Sequence, residues 1–155
     1  MAAWNTLKRK MDITVKNLQK KIPLRPDQIK TVLTNILKHL RIPTASLTVI
    51  FISRQKIQAL NKQYLHRSYA TDVLAFDLSS QKKKNVISGD IFISTDAVLQ
   101  NARVFKNNSK QELVLYMVHG ILHLLGYDDH SPSDIKKIRA KEREVMEFLE
   151  RIGKS

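Results

Sequence analysis

The sequence predicts an α+β fold, in which a small mixed β-sheet packs against about five helices. Short β-branched runs alternate with segments whose apolar residues recur at helical spacing, and two helical patterns end the chain. The chain has 155 residues, of which 43% are hydrophobic. That length is enough for one sizeable hydrophobic core but too short for two domains with a core each, so we expect a single domain over residues 1–155.

Four runs have the composition of strands, because they are β-branched or aromatic and are bounded by polar residues or proline. The predicted strands cover residues 11–15, 47–52, 73–76 and 86–94. The run Lys82, Lys83 and Lys84 predicts a solvated connection between the last two strands.

Five helices are predicted from apolar periodicity and from residues that favour helix ends. Pro26 starts the first, a Ser94 or Thr95 cap starts the third, and Ser109 with Glu112 forms a capping-box pattern at the fourth. The helices are expected from residue 26 for about four turns, through residues 57–64, over 95–104, over 109–125, and from 132 to 152 before Gly153.

The most distinctive stretch is residues 119–130, which read HGILHLLGYDDH. His119 and His123 lie four residues apart in the fourth helix, so both imidazoles project from one face, one turn apart. This helix is apolar nearly all round, which predicts that it is central and buried. Burial keeps imidazoles neutral, and metal binding requires the neutral form. The alternative is a pair of core histidines satisfied by backbone or carboxylate partners.

Gly126 can adopt the left-handed conformation that ends a helix and turns the chain back. The turn brings Asp128, Asp129 or His130 towards the histidine pair, and the sequence leaves open whether Asp129 or His130 is the third ligand. Three nitrogen or oxygen ligands with a free position for water are typical of catalytic zinc. Structural zinc is often bound by cysteine, which this chain lacks. We therefore expect one catalytic Zn²⁺ per chain.

This stretch resembles the signature His-Gly-x-Leu-His-Leu-x-Gly-Tyr-Asp-His of the YbeY family, zinc-dependent endoribonucleases that act in ribosomal RNA maturation. Asp129 holds the place of the family's third histidine, and His130 follows one residue later. The segment Gly89-Asp90-Ile91 is similar to the family's Gly-Asp-Ile, in which the glycine allows close backbone approach in a strand near the cleft. Asp90 could orient a metal-bound histidine by accepting its other ring proton, or it could satisfy a backbone donor.

Residues 61–76, NKQYLHRSYATDVLAF, are similar to a family segment that lies beside the zinc cleft. The matching polar or aromatic positions that we predict to bind substrate or support the site are Asn61, Tyr64, Thr71 and Asp72. Leu65 stands at a family arginine position and Ala75 at a family serine position. Arg67 and His66 lie nearby, and we predict Arg67 as the catalytic cation, because a guanidinium can hold a phosphate through paired hydrogen bonds. The alternative for Arg67 is a solvated loop position.

The charge of the chain favours a polyanionic partner. It has 27 Lys and Arg against 14 Asp and Glu, a formal net charge of +13. Such a surplus concentrates nucleic acid or another anionic surface around the protein. No cysteine is present for a disulfide. No apolar run reaches the roughly 18 residues of a membrane span, and no signal peptide is evident, so we expect a cytoplasmic protein without a membrane partner.

Three functions are consistent with the histidine motif and the basic charge of the chain. The resemblance implies a zinc-dependent, single-strand-specific endoribonuclease of ribosomal RNA processing, including maturation of the 16S rRNA 3′ end, and of ribosome quality control. Its partners would be ribosomal RNA and the small ribosomal subunit. A metal-dependent peptidase is less favoured, because the position of the general base in His-Glu-x-x-His enzymes is Gly120 here. The third candidate is a non-catalytic ribosome or RNA binder with structural zinc.

Overall fold

A four-stranded mixed sheet is the framework of the protein. The computed structural model describes residues 10–65, 72–81 and 83–153. The strands are β1 (Lys10–Asn17), β2 (Thr44–Ile52), β3 (Val73–Asp77) and β4 (Val86–Ser94), in the order β1-β2-β4-β3. β1, β2 and β4 run parallel, whereas β3 pairs antiparallel with β4 and forms an edge. All four predicted strands are confirmed, and the first three extend beyond their predicted ends.

The five predicted α-helices are also present in the described part of the chain. They are α1 (Pro26–His39), α2 (Arg54–Leu60), α3 (Thr95–Val104), α4 (Ser109–Leu124) and α5 (Pro132–Gly153). A π-helical turn, Asn61–Leu65, continues α2. The predicted α+β class with a small mixed sheet is thereby confirmed. No helix among these residues is long and apolar enough to cross a membrane.

Local signals determine where the helices begin. The Ser94 hydroxyl accepts a hydrogen bond from the Ala97 N–H at the start of α3. The N-cap of α4 is Asn108, whose side chain accepts from the Gln111 N–H, and not the predicted Ser109. Serine and asparagine can both accept hydrogen bonds from the unpaired backbone N–H groups at a helix start. The sequence pattern could not distinguish them and placed the cap one residue too late.

The strands bury different side chains on the two faces of the sheet. On β2, Leu47, Val49 and Phe51 belong to the main core, into which α1, α4 and α5 also pack. The alternate residues Ile50 and Ile52 join a smaller cluster beneath α2. This alternation follows from the pleat of a strand, which sends successive side chains to opposite faces. α4 therefore lies on the main-core face of the sheet.

Two glycines allow α4 to lie close to the sheet. A Cβ at Gly120 would be 2.6 Å from Ile91 Cγ2 on β4. A Cβ at Gly89 would be 2.5 Å from the Phe76 carbonyl oxygen and 2.7 Å from Leu124 Cδ2. The close approach at Gly89 that the family resemblance implied is therefore present. These contacts position the histidine-bearing helix against β4 and the edge strand β3.

The Gly89→Ala substitution should destabilise the protein. The added methyl group meets a backbone carbonyl that cannot move alone, so the free energy of unfolding should fall by about 1–3 kcal/mol. This loss should exceed the stabilisation of about 0.4–1 kcal/mol that alanine gains by restricting the unfolded chain. Urea denaturation with a circular dichroism readout measures the change.

Gly153→Ala is the matched control, because a Cβ at Gly153 would meet nothing within 4 Å. We expect this control to change the unfolding free energy by less than about 0.5 kcal/mol. Equal effects of the two substitutions would contradict the packing role assigned to Gly89.

Candidate metal centre

His119 and His123 project from α4 into one cleft. Their Nε2 atoms are 2.8 Å apart, and their ring centroids are 4.4 Å apart in an edge-to-face arrangement. Their side chains are 27% and 24% exposed, so both rings are largely buried with an edge open to the cleft. The four-residue spacing thus gives the convergence of nitrogen atoms that the sequence predicted.

The turn after α4 brings a carboxylate to these nitrogens. Gly126 has a φ of 100°, and its N–H donates to the His123 carbonyl at 3.0 Å. The Tyr127 N–H donates to the Leu122 carbonyl at 3.0 Å, which completes the paired hydrogen bonds of a glycine-terminated helix. Asp129 Oδ2 then lies 3.5 Å from His123 Nε2 and 3.9 Å from His119 Nε2.

His130 lies at the outer side of the same turn. Its Nε2 is 3.1 Å from Asp128 Oδ1, and its side chain is 70% exposed. His119, His123 and Asp129 offer ligand atoms within 4.8 Å of one another, whereas His130 forms such a group with Asp128 and Asp129. In the described residues, Asp129 and not His130 therefore accompanies the histidine pair.

Glu142 of α5 holds the ring of His119. Its Oε1 lies 2.8 Å from His119 Nδ1, and the Glu142 side chain is only 14% exposed. A carboxylate that accepts the Nδ1 proton fixes the tautomer and leaves Nε2 free for a metal ion. One signal in the sequence pointed to Glu142: it lies between Ile138 and Val145, at a core-facing position of α5.

The sequence left open whether Asp90 has this supporting role or satisfies a backbone donor, and in the structure it is Glu142 that contacts the histidine ring. Gly89 and Ile91 face α4, as their close contacts with Leu124 and Gly120 show. Because side chains alternate along a strand, Asp90 points to the opposite face of the sheet. It is half-buried there and does not line the cleft.

The surroundings of His123 favour its neutral form. Burial lowers the pKa of His123 from its ordinary 6.5, and the neighbouring His119 lowers it further. Asp129 and a hydrogen bond to the Tyr127 backbone oppose this shift without reversing it. A neutral imidazole has a lone pair for a metal ion, so His123 can act as a ligand at neutral pH without first losing a proton.

Asp72 lies in the cleft as predicted, at the start of the edge strand β3. Two further polar residues that the sequence prediction missed lie with it. Tyr116 accepts a hydrogen bond from Asn101 Nδ2, and burial together with the charge of Asp72 raises the pKa of the Tyr116 hydroxyl. Tyr116 stands three residues before His119 on α4, and that spacing was the available signal.

The other predicted site residues lie elsewhere. Asn61 is buried in the π-helical turn and is not among the residues that line the cleft. Tyr64 is 56% exposed, and its ring packs edge-on against Phe76, with centroids 5.8 Å apart. Arg67 and Thr71, like His66 and Lys82, fall outside the described residues.

Comparison with known proteins identifies the family. The family model described as Endoribonuclease YbeY matches residues 14–150. The chain belongs to the YbeY family. The family resemblance is therefore confirmed, and so is the predicted class of enzyme, an endoribonuclease.

Curated YbeY proteins align with most of this chain. The endoribonuclease YbeY of Parabacteroides distasonis is 42% identical over 104 residues, which are 67% of this chain and 66% of that protein. That of Syntrophus aciditrophicus is 31% identical over 90% of both chains. The solution structure of TM1509 from Thermotoga maritima matches with a TM-score of 0.62 and 31% identity over 87% of each chain.

The donor set of this YbeY-family chain fits a metal ion. Two imidazole nitrogens and one carboxylate oxygen converge, and the carboxylate of Glu142 supports the first ring from behind. Nitrogen and carboxylate donors suit borderline divalent ions such as zinc. The group is open on the side that faces the cleft, which has a volume of about 840 Å³.

The Glu142→Ala substitution should weaken metal binding without removing any ligand. Loss of the carboxylate behind a ligating histidine is expected to cost about 10–100-fold in affinity, because the ring loses its fixed orientation. Competition with a chromophoric chelator at neutral pH measures the affinity. Glu142→Gln, which keeps an acceptor oxygen, should retain part of it.

Glu147→Ala is the control, since Glu147 lies on the same helix but lines a different groove. It should leave the metal affinity unchanged. A Glu142→Ala protein that binds metal as tightly as the wild type would refute the supporting role of Glu142.

Proposed function

We propose that this protein is a zinc-dependent endoribonuclease that cleaves single-stranded RNA in the cleft between α4, β3 and α5. Its proposed substrate is ribosomal RNA on the small subunit, including the 3′ end of 16S rRNA, in cytoplasmic ribosome maturation and quality control. The observation that carries the proposal is the convergence of His119, His123 and Asp129 at one end of an open cleft. Membership of the YbeY family supports the choice of RNA.

His119, His123 and Asp129 would hold the metal ion, and Glu142 would orient the first of these ligands. A bound zinc ion polarises a phosphoryl oxygen and lowers the pKa of coordinated water. Asp72 and Tyr116 line the same cleft and are placed to contact the substrate. Asn61, Tyr64, Thr71 and the phosphate-neutralising Arg67 remain predictions from the family resemblance.

The packing of Gly120 favours RNA over a peptide as substrate. In His-Glu-x-x-His peptidases, the residue after the first histidine supplies the general base. Here that position presses against Ile91, 2.6 Å from where a Cβ would stand. The sheet therefore leaves no room for a glutamate side chain in this direction. RNA carries its own 2′-hydroxyl as an internal nucleophile and so depends less on such a base.

Metal removal tests the proposed activity. The zinc-loaded protein should cleave a single-stranded RNA oligonucleotide, leave an RNA duplex and an unfolded peptide intact, lose activity in EDTA and regain it with added zinc. His123→Ala should lose cleavage while the folded protein still binds RNA, because the ligand is removed and the basic surface is kept. Gel analysis of products and circular dichroism provide the readouts.

Two other results would each support a different function for this protein. Cleavage of the peptide with intact RNA would identify a hydrolase of another substrate class. Unfolding of His123→Ala, with no RNA cleavage by the wild type, would identify an RNA binder whose metal ion supports the fold.

The identity of the third ligand can be tested by paired substitutions. Asp129→Asn should lower zinc affinity by about tenfold or more, since it removes an anionic oxygen close to both imidazoles. His130→Gln should change the affinity little, because His130 is exposed and contacts Asp128 instead. Chelator competition measures both. The reverse order of effects would show that the turn rearranges on metal binding and that His130 is the ligand.

A further inference from the structure

The described lining of the metal cleft is acidic although the chain as a whole is strongly basic. Its carboxylates are Asp72, Asp128, Asp129 and Glu142. Among the described lining residues, Arg139 is the one with a permanent positive charge. A phosphodiester strand that enters this cleft meets repulsion from the carboxylates. A fixed cation in the cleft would offset this repulsion, in addition to the proposed metal ion and the net charge of +13.

Helix geometry directs Arg139 into the cleft. Arg139 precedes Glu142 by three residues on α5, so the two side chains share a face of the helix. The Glu142 carboxylate contacts His119 at 2.8 Å, so this face looks towards the metal ligands. Side chains on a helix lean towards its N-terminus. Arg139 therefore leans towards the turn that carries Asp129.

The guanidinium of Arg139 is available to a ligand. Arg139 is exposed, and within the described residues it makes no hydrogen bond or ion pair, although carboxylates line the same cleft. Two lysines show the contrasting case: Lys21 pairs with Asp96 at 2.5 Å, and Lys141 pairs with Glu144 at 3.0 Å. A guanidinium without a hydrogen-bond partner has all of its N–H donors available to bind a planar or tetrahedral anion.

We infer that Arg139 binds a phosphodiester group of the RNA strand in the metal cleft and thereby selects a polyanionic substrate. This inference rests on the proposed function and adds a substrate-binding residue to it. Two parallel N–H···O bonds to one phosphate give the site an orientation as well as a charge. An ammonium group provides only a point charge, so lysine should replace Arg139 incompletely.

The test compares Arg139→Gln and Arg139→Lys with the wild-type zinc enzyme on a single-stranded RNA oligonucleotide. Arg139→Gln should raise KM by about tenfold or more, as expected for a lost charge-assisted hydrogen bond, with a smaller change in kcat. The KM of Arg139→Lys should lie between those of the wild type and Arg139→Gln. Zinc content and thermal unfolding should match the wild type, since Arg139 is neither a ligand nor buried.

Arg143→Gln is the matched control. Arg143 lies four residues further along α5, is also exposed and lines the separate groove between α1 and α5. The Arg143→Gln substitution removes the same charge from the same helix, one turn away from Arg139. Its KM for RNA should remain that of the wild type if the effect of Arg139 is local.

A binding readout separates a phosphate contact from a structural role. A non-cleavable 2′-O-methyl RNA strand is titrated by fluorescence anisotropy, and one linkage at a time is replaced by a neutral methylphosphonate. At one linkage, the replacement should weaken binding to the wild type by about tenfold and have little effect on Arg139→Gln. A merely structural residue would not produce this selective loss.

Several results would overturn the inference. They are an unchanged KM in Arg139→Gln, an equal rise in Arg143→Gln, and methylphosphonate sensitivity that disappears in Arg67→Gln but persists in Arg139→Gln. If the wild type fails to cleave RNA but shows the Arg139-dependent phosphate contact, the proposed function fails and the inference stands. If it cleaves RNA and Arg139→Gln behaves as wild type, the inference fails and the function stands.

Discussion

The close contact between α4 and the sheet is the constraint on which the rest of the structure depends. Gly120 against Ile91 and Gly89 against Leu124 leave no room for a methyl group at either glycine. Because the interior is close-packed, this contact determines both the distance and the rotation of α4. With Gly120 turned towards the sheet, His119 and His123 face the cleft beside β3. The packing that stabilises the core thus also directs the ring nitrogens of both histidines into the cleft.

The polar side chains around α4 form hydrogen-bonded pairs. His119 is bonded to Glu142, and Tyr116 is bonded to Asn101, so that largely buried polar atoms keep hydrogen bonds after losing water. The histidine nitrogens and Asp129 remain as the open end of this network. A divalent cation there would relieve the mutual repulsion of the carboxylates, which links metal binding to the stability of the α4–α5 pair. Arg139 of α5 lines the same cleft as these ligand atoms.

The sequence predicted the regular elements well because each of them carries its own periodic signal. Strand β4 was predicted with the bounds that the structure shows, and of the two caps that the sequence offered for helix α3, Ser94 and Thr95, the structure uses Ser94. Strand β1 was predicted too short, because its outer residues Lys10 and Asn17 are polar while its pairing with β2 continues. The sequence left two roles open for Asp90 for a different reason. Sequence shows that a carboxylate is near a motif, but not which face of the sheet carries it.

The sequence by itself determined the histidine pair and the turn after it. Backbone hydrogen bonds hold a helix at 3.6 residues per turn, so a four-residue spacing places two rings together in any fold, and Gly126 ends the helix by its own conformational freedom. Only the tertiary structure decided that Asp129 accompanies the pair and that α5 contributes Glu142 and Arg139. The relative placement of α4 and α5 depends on how their core side chains interlock. That packing joins residues distant in sequence, and no local pattern encodes it.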